Sequence, residues 1–215
     1  MQQRTSTIDP LLCGVHELDP AAAPPARTPD LAIHQQLLAQ RLGERTGLLA
    51  ELARDELTEI VDLTGKINAL GKRIQARTIQ VAPTLLAMPG VGALTAAKLV
   101  GEAVGIGRFK SEAAFARHAG IAPIPVWSGN TAGRVRLTRS GNRQLNAAIH
   151  RIALTQIRMD GPGKTYYARK KAEGMSTPEA LRCLKRRLAR IVFNHLNTDH
   201  GTVQAAASDS LPAAA

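Results

Sequence analysis

The sequence has 215 residues and a formal net charge of +11; residues 108–195 hold 18 basic and 4 acidic residues, a net +14, and the rest sums to −3. This imbalance predicts a polyanionic partner, because phosphate contacts release counterions; nucleic acid is the natural candidate and a solubilising basic surface the alternative. The two cysteines, Cys13 and Cys183, are far apart in the sequence, which argues against a disulfide framework or a zinc site. The sequence shows no secretion signal and no apolar run of the roughly 18 residues that a membrane span needs. We therefore expect a cytoplasmic protein without a membrane partner.

Residues 1–30 are the first segment of the chain. They contain the run DPAAAPPARTPD, whose prolines and alanines show neither helical nor strand periodicity. Such a run does not present an apolar face that could join a core. We therefore predict a disordered lead over residues 1–30.

Residues 31–82 follow as a helical stretch without a proline between Asp30 and Ile79. Apolar residues recur there at alternating steps of three and four, as in a coiled coil, at Ile60, Leu63, Ile67, Leu70 and Ile74, with Leu42 and Leu49 in the same register. Ala53 and Glu56 interrupt the pattern. We predict coiled-coil helices that pair between chains, with a hairpin packed on the same chain as the alternative.

A Pro-Gly turn follows in the run LLAMPGVGALTAAKLVGE. It predicts a helix that ends near Met88, a turn at Pro89 and Gly90, and a second helix over residues 93–100. A helix N-terminus offers free backbone N–H groups and a favourable dipole to a phosphate oxygen. We predict a helix-hairpin-helix that binds phosphate without reading bases, with a purely steric glycine turn as the alternative.

The most basic loop of the chain comes next. A short helix capped by Ser111 should end at Gly120, and the prolines of IAPIPVWSG should hold an extended segment that leads to Ser128. The following residues carry four arginines and no acidic residue before Leu145. A serine hydroxyl beside arginines is suited to attack phosphorus, although serine is also common in turns.

Basic helices complete the chain. One should begin after Asn142 with its apolar face at Leu145, Ala148, Ile149, Ile152, Ala153 and Ile157, and another after a cap at Thr177 with its face at Leu181, Leu184, Leu188, Ile191 and Leu196. Residues 197–215 are predicted to be a disordered tail. The residues expected to contact phosphate are Gly90, Gly92, Lys98, Arg134, Arg136, Arg139, Arg143, Lys164, Arg169, Lys170, Arg182, Lys185 and Arg186.

Other chemistries have weaker support. A two-metal nuclease needs several convergent carboxylates, and the basic half offers only Glu112, Asp160, Glu173 and Glu179. His118, His150 and His195 lack the spacing of metal ligands, so no metal site is predicted. Tyr166 or Tyr167 would be a conceivable nucleophile, but an aromatic anchor beside lysines is the favoured interpretation.

These motifs together resemble the carboxy-terminal Tnp domain of the IS one-ten family of insertion-sequence transposases over roughly residues 84–195. The resemblance rests on the hairpin glycines, G-x-x-P before the S-G pair, the arginine-rich loop that ends in G-N-R, and the helix ALRCLKR. It implies a mainly α fold, with coiled-coil helices over 31–82 and a compact Tnp domain over 83–196. It further implies that Ser128 is the nucleophile that forms a phosphoserine link to DNA.

The resemblance also implies partners and a second domain. The family joins its Tnp domain, through a coiled coil, to a RuvC-like domain with four acidic metal ligands, and works as a guide-RNA-directed recombinase that assembles as a tetramer. No room for that domain precedes residue 31. We therefore expect a truncated transposase or fragment that binds DNA and guide RNA, forms a homo-oligomer (dimer or tetramer), and leaves Mg²⁺ to the RuvC-like domain.

Two other functions compete with this expectation. The first is a noncatalytic DNA- or RNA-binding or regulatory relative that oligomerises with full-length transposase, whose binding would be salt-sensitive and independent of Ser128. The second is an oligomerisation module whose basic face is incidental, which would show no binding at moderate salt.

Overall fold

The computed structural model describes residues 2–22, 24, 31–125, 135–137 and 140–209. The fold is mainly α, as predicted. The helices are α1 Gln2–Leu18, α2 Ala32–Gly43, α3 Leu48–Val81, α4 Pro83–Leu86, α5 Ala93–Ala103, α6 Glu112–His118, α7 Arg143–Arg158, α8 Pro162–Ala172 and α9 Thr177–Asp209, with 3-10 turns at Pro20–Ala22 and Ile106–Arg108. Two short strands, β1 Pro123–Pro125 and β2 Val135–Leu137, pair antiparallel. Within these ranges, no helix is long and apolar enough to cross a membrane.

The chain divides into two compact units, Met1–Arg73 and Ile74–Ala215. The core of the first unit contains Leu11 and Val15 of α1, Leu38 and Leu42 of α2, and Ala53, Leu57 and Ile60 of α3. The lead was expected to be disordered, but residues 2–18 form α1. The reason is visible in its sequence: Ile8, Leu11, Val15 and Leu18 recur every three or four residues and give the helix one apolar face.

The heptad stripe of α3 has two parts. Ile60, at its start, is buried in the core of the first unit together with Leu42. Leu70 and Ile74, further along, are 52% and 36% exposed. Ile60 is thus covered by other helices of the same chain. Coiled-coil pairing through Leu70 and Ile74 stays a prediction.

The second unit is built around α7 and α9. Most residues of the faces predicted for both helices are buried, including Leu145, Ile149 and Ile152 of α7 and Leu184 and Leu188 of α9, and the others are half-buried against the same core. The helix α9 packs against α4, α6, α7 and α8, so that it links most of the helices of this unit.

Both ends of α9 differ from expectation. Its cap is Ser176 rather than Thr177, because the amide of Ser176 donates to Glu179 Oε2 (2.9 Å) and its carbonyl accepts from Ala180; the first of these bonds is one of the two that make a capping box. The helix then continues to Asp209, although a disordered tail was predicted from residue 197. Asp199 explains part of this continuation, since its side chain is buried against α4.

The strands form a narrow hairpin in which Ile124 is opposite Arg136 and Pro123 is opposite Leu137. The extended segment at Pro123 and Pro125 was predicted from its prolines. The partner strand was missed, because three residues, VRL, are too short to show a periodicity of two.

Candidate nucleic-acid interface

Ser128, Arg134 and Arg139 lie outside the described residues, and Arg136 is described only by its backbone, in β2 opposite Ile124. The structure nevertheless describes both arms of the hairpin that contains these residues and the place where the arms meet the helices. The candidate interface is therefore built from this stem and from the basic helices around it.

Two glycines close the base of the hairpin. Gly120 (φ +65°) and Gly141 (φ +118°) have positive φ angles, which are unfavourable for residues that carry a Cβ. A Cβ on Gly141 would lie 2.7 Å from the amide nitrogen of Gly120, and a Cβ on Gly120 would lie 2.9 Å from the carbonyl oxygen of Ser140. The two arms therefore touch backbone to backbone, and any side chain here would force them apart.

The returning arm is fixed to α7 and α6 through Asn142. Its amide donates to the carbonyl of His118 (2.7 Å), and its side-chain oxygen caps α7 by accepting from the amides of Gln144 and Leu145. Its side-chain nitrogen donates to Glu102 Oε2 on α5 (2.7 Å). One residue thus ties the stem to three helices.

The outgoing arm is held by Asn146, one turn into α7. Its Nδ2 donates to the carbonyls of Ala119 (3.0 Å) and Gly120 (3.2 Å), and its Oδ1 accepts from Lys185 Nζ on α9 (2.6 Å). Burial lowers the pKa of Lys185 below its usual value. Lys185, predicted as a phosphate contact, therefore has its ammonium half-buried and bound to an internal amide.

The predicted Pro-Gly turn lies between α4 and α5. Gly90 (φ +81°) makes the turn and packs against Thr155 and Gln156 of α7, and Gln156 Nε2 donates to the carbonyl of Pro89 (2.7 Å). Gly92 is exposed at the N-cap of α5, and a Cβ at this position would have no other atom within 4 Å. Lys98 is half-buried on the same helix. Phosphate binding at this helix start stays a prediction.

Several predicted contacts on α8 have carboxylate partners. Lys164 pairs with Asp160 (2.7 Å), and both Lys170 (2.6 Å) and Arg169 (3.6 Å) pair with Glu173. The bond to Glu173 raises the pKa of Lys170, and the bond from Lys164 lowers that of Asp160. These three cations are thus partly neutralised within the chain, whereas Arg143 and Arg182 are exposed and Arg186 is half-buried.

Of two further arginines on α9, Arg190 was predicted only as part of the basic flank of that helix, and Arg187 was not predicted. The guanidinium of Arg187 lies 4.9 Å from the ring centroid of Tyr166, which Arg169 and Lys170 also approach. Arg190 pairs with Glu112 of α6 (2.6 Å). Arg169 and Lys170 lie three and four residues after Tyr166, so their contact with its ring can be predicted from helical spacing. Arg187 approaches the ring from another helix, and no spacing in the sequence predicts that contact.

Within the described ranges, no group of three or more His, Cys, Asp or Glu side chains could hold a metal ion.

Comparison with known proteins gives one family and three relatives. Residues 82–168 match the model of the transposase IS116/IS110/IS902 family. The chain is 30% identical over 168 residues to the 44.8 kDa protein of insertion element IS116 of Streptomyces clavuligerus, an alignment that covers 78% of this chain and 42% of that protein. It is 32% identical to the 42 kDa protein of IS900 of Mycobacterium paratuberculosis (71% and 38% covered) and 37% identical to the 43.6 kDa protein of IS110 of Streptomyces coelicolor (61% and 31%). The chain thus spans less than half of the length of each of these relatives.

Proposed function

Because the chain belongs, through residues 82–168, to the IS116/IS110/IS902 transposase family, we propose that it acts in the transposition and recombination of an insertion sequence with Ser128 as its nucleophile. The observation that carries this proposal is the closed stem of the hairpin. Gly120 and Gly141 meet at its base, β1 and β2 pair above them, and Ser128 lies in the segment between the strands. A loop with both ends fixed suits a nucleophile, because reaction rates depend steeply on position.

The proposed step is attack on a DNA phosphodiester. The Oγ of Ser128 forms a bond to phosphorus, the bond from phosphorus to a deoxyribose oxygen breaks, the serine proton passes to water or a base, and the departing oxygen takes up a proton. The pentacoordinate transition state carries extra negative charge. Arg134, Arg136, Arg139 and Arg143, which lie close to Ser128 in the chain, would stabilise that charge.

The nucleic-acid partners follow from the charge. Residues 108–195 have 18 basic against 4 acidic residues, and the described part of that segment includes exposed Arg143 and Arg182. We propose that this surface binds DNA and a guide RNA through their phosphates. In this proposal Mg²⁺ belongs to a RuvC-like domain, as the family resemblance implies.

Homo-oligomerisation, as a dimer or tetramer, is proposed to occur through α3. Leu70 and Ile74 are exposed at the spacing of a coiled coil, downstream of Ile60, which is buried within the chain. Apolar side chains at such positions gain stability when a second helix covers them. The oligomer would act in the cytoplasm, where the element's DNA is found.

The test is covalent capture of DNA. The chain, supplied with element-end DNA, guide RNA and a RuvC-like domain, should form a denaturant-resistant protein-DNA adduct that disappears in Ser128→Ala while DNA binding is retained. Ser140→Ala is the matched control, because Ser140 also precedes a glycine in this basic stretch and should keep the adduct. An adduct formed by Ser128→Ala would overturn the proposal. Salt-sensitive binding without any adduct in the wild type would favour the noncatalytic binding relative.

A further inference from the structure

We propose that Lys185 and Asn146 are positioning residues for the hairpin of Ser128 rather than contacts to nucleic acid. This inference rests on the function proposed above. It follows from the hydrogen bonds at the base of the hairpin, which join α9 to α7 and α7 to the outgoing arm.

The first step concerns the outgoing arm. Asn146 Nδ2 donates to two consecutive carbonyls, those of Ala119 and Gly120, at 3.0 and 3.2 Å. Gly120 is the point at which the two arms touch. Binding both carbonyls fixes the direction in which the chain leaves α6 and enters β1.

The second step concerns the orientation of the Asn146 amide. A lysine ammonium has only donors, so the atom that faces it must be the amide oxygen. Lys185 Nζ lies 2.6 Å from Oδ1, and the amide nitrogen is thereby directed at the two carbonyls. Lys185 and the two carbonyls thus select the same amide orientation, and without Lys185 only the carbonyls would oppose the flipped one, in which an oxygen would face them.

The third step is that both arms share one support. The returning arm is bound through Asn142, the N-cap of α7, and the outgoing arm through Asn146, four residues later on the same helix. The buried face of α7 at Leu145 and Ile149 fixes this helix in the core. The stem therefore stands on a rigid element, which is what a preorganised nucleophile requires.

Burial of Lys185 agrees with this role. Its side chain is half-buried, and burial lowers its pKa. A phosphate contact would instead keep its cationic group hydrated and exposed, as expected of the Arg182 guanidinium one turn earlier on α9.

The experiment separates positioning from phosphate contact by two readouts in the complex with element-end DNA, guide RNA and a RuvC-like domain. Lys185→Met should lower the rate of adduct formation at saturating DNA by roughly 10- to 100-fold, as misplacement of a reacting group does. Its slope of log affinity against log salt should equal that of the wild type. Lys185→Arg, which keeps a charged donor, should restore most of the rate. Arg182→Met is the matched control for the slope, and should reduce it by about one.

Three results would overturn the proposal. The first is a Lys185→Met variant that folds and keeps the wild-type rate, and the second is one that reduces the salt slope by about one without changing the rate at saturation, as the loss of a phosphate contact would. If Lys185→Met does not fold, Asn146→Asp replaces it, because aspartate keeps the acceptor for Lys185 and loses both donors to the carbonyls; a wild-type rate in that variant refutes the proposal. Failure of the function itself is distinguishable, since it appears as an adduct in Ser128→Ala.

Discussion

The carboxylate of Asp199 caps the first turn of α4, accepting hydrogen bonds from the backbone amides of Thr84 (2.9 Å) and Leu85 (3.1 Å). These two residues are more than 110 positions apart from Asp199 in the chain. Thr84 is also bound to His195, whose carbonyl accepts from the Thr84 hydroxyl (3.3 Å). The far part of α9 thus holds the short helix that precedes the Pro-Gly turn.

Asp199→Ala should destabilise the protein by about 1–3 kcal/mol, because it leaves the buried amide of Leu85 without its acceptor. Chemical denaturation followed by circular dichroism measures this loss. Thr198→Ala, an exposed neighbour on the same helix, should stay within about 0.5 kcal/mol of wild type. Equal effects of the two substitutions would show that the cap contributes nothing.

Gly141→Ala should destabilise the protein by about 1–3 kcal/mol, since its φ of +118° and the 2.7 Å approach of a Cβ to the Gly120 amide both oppose a side chain. The same denaturation measurement applies. Gly101→Ala on α5 is the matched control, because its Cβ would meet no atom within 4 Å and an alanine should stabilise the helix by about 0.5–1 kcal/mol. A neutral Gly141→Ala would mean that the arms can separate freely.

The melting temperature should fall as the pH drops below about 6.5. Burial and the neighbouring Lys185 lower the pKa of His150 from its ordinary value of 6.5. The unfolded chain therefore binds the proton more readily, so stability is complete above 6.5 and is lost as the pH falls towards the folded pKa. Thermal melts at pH 7.5 and about 5.5 should differ less in His150→Gln than in wild type. An unchanged difference would assign the pH dependence to other groups.

Lys170→Met should reduce the salt slope of DNA binding by less than Arg143→Met, for which a reduction of about one is expected. The ammonium of Lys170 is bound to Glu173 and its side chain is only 20% exposed, so it has few counterions to release. Affinity measured between 50 and 200 mM salt gives both slopes. Equal reductions would indicate that the ion pair opens when nucleic acid binds.

The sequence predicts α7 and the first part of α9 well, because their apolar faces repeat with the helical period, whereas α8, which lacks such a face, was not predicted. In α7 that period correctly identified Leu145, Ile149 and Ile152 as buried. The same period is present in α1 at Ile8, Leu11, Val15 and Leu18, ahead of the run rich in proline and alanine on which the prediction of a disordered lead rested.

The candidate site was less predictable, since its key contacts join distant segments. Lys185 lies in a run of basic residues and was therefore predicted to contact phosphate. Only the fold shows that its ammonium is bound to Asn146. Gly120 and Gly141 each fit an ordinary turn, and their mutual contact is a property of the pair. Arg187 lies on another helix from Tyr166, so no spacing could reveal it.

The contact between Gly120 and Gly141 also makes the hairpin exchangeable. The two arms of the hairpin meet at one point beside the helices of the second unit. The entropic cost of closing the segment between β1 and β2 therefore rises only slowly as that segment is lengthened. Insertions, deletions or whole segments from related proteins placed between residues 125 and 135 should leave the helical body folded. The stem is thus a site at which the segment between the strands can be replaced independently of the helices.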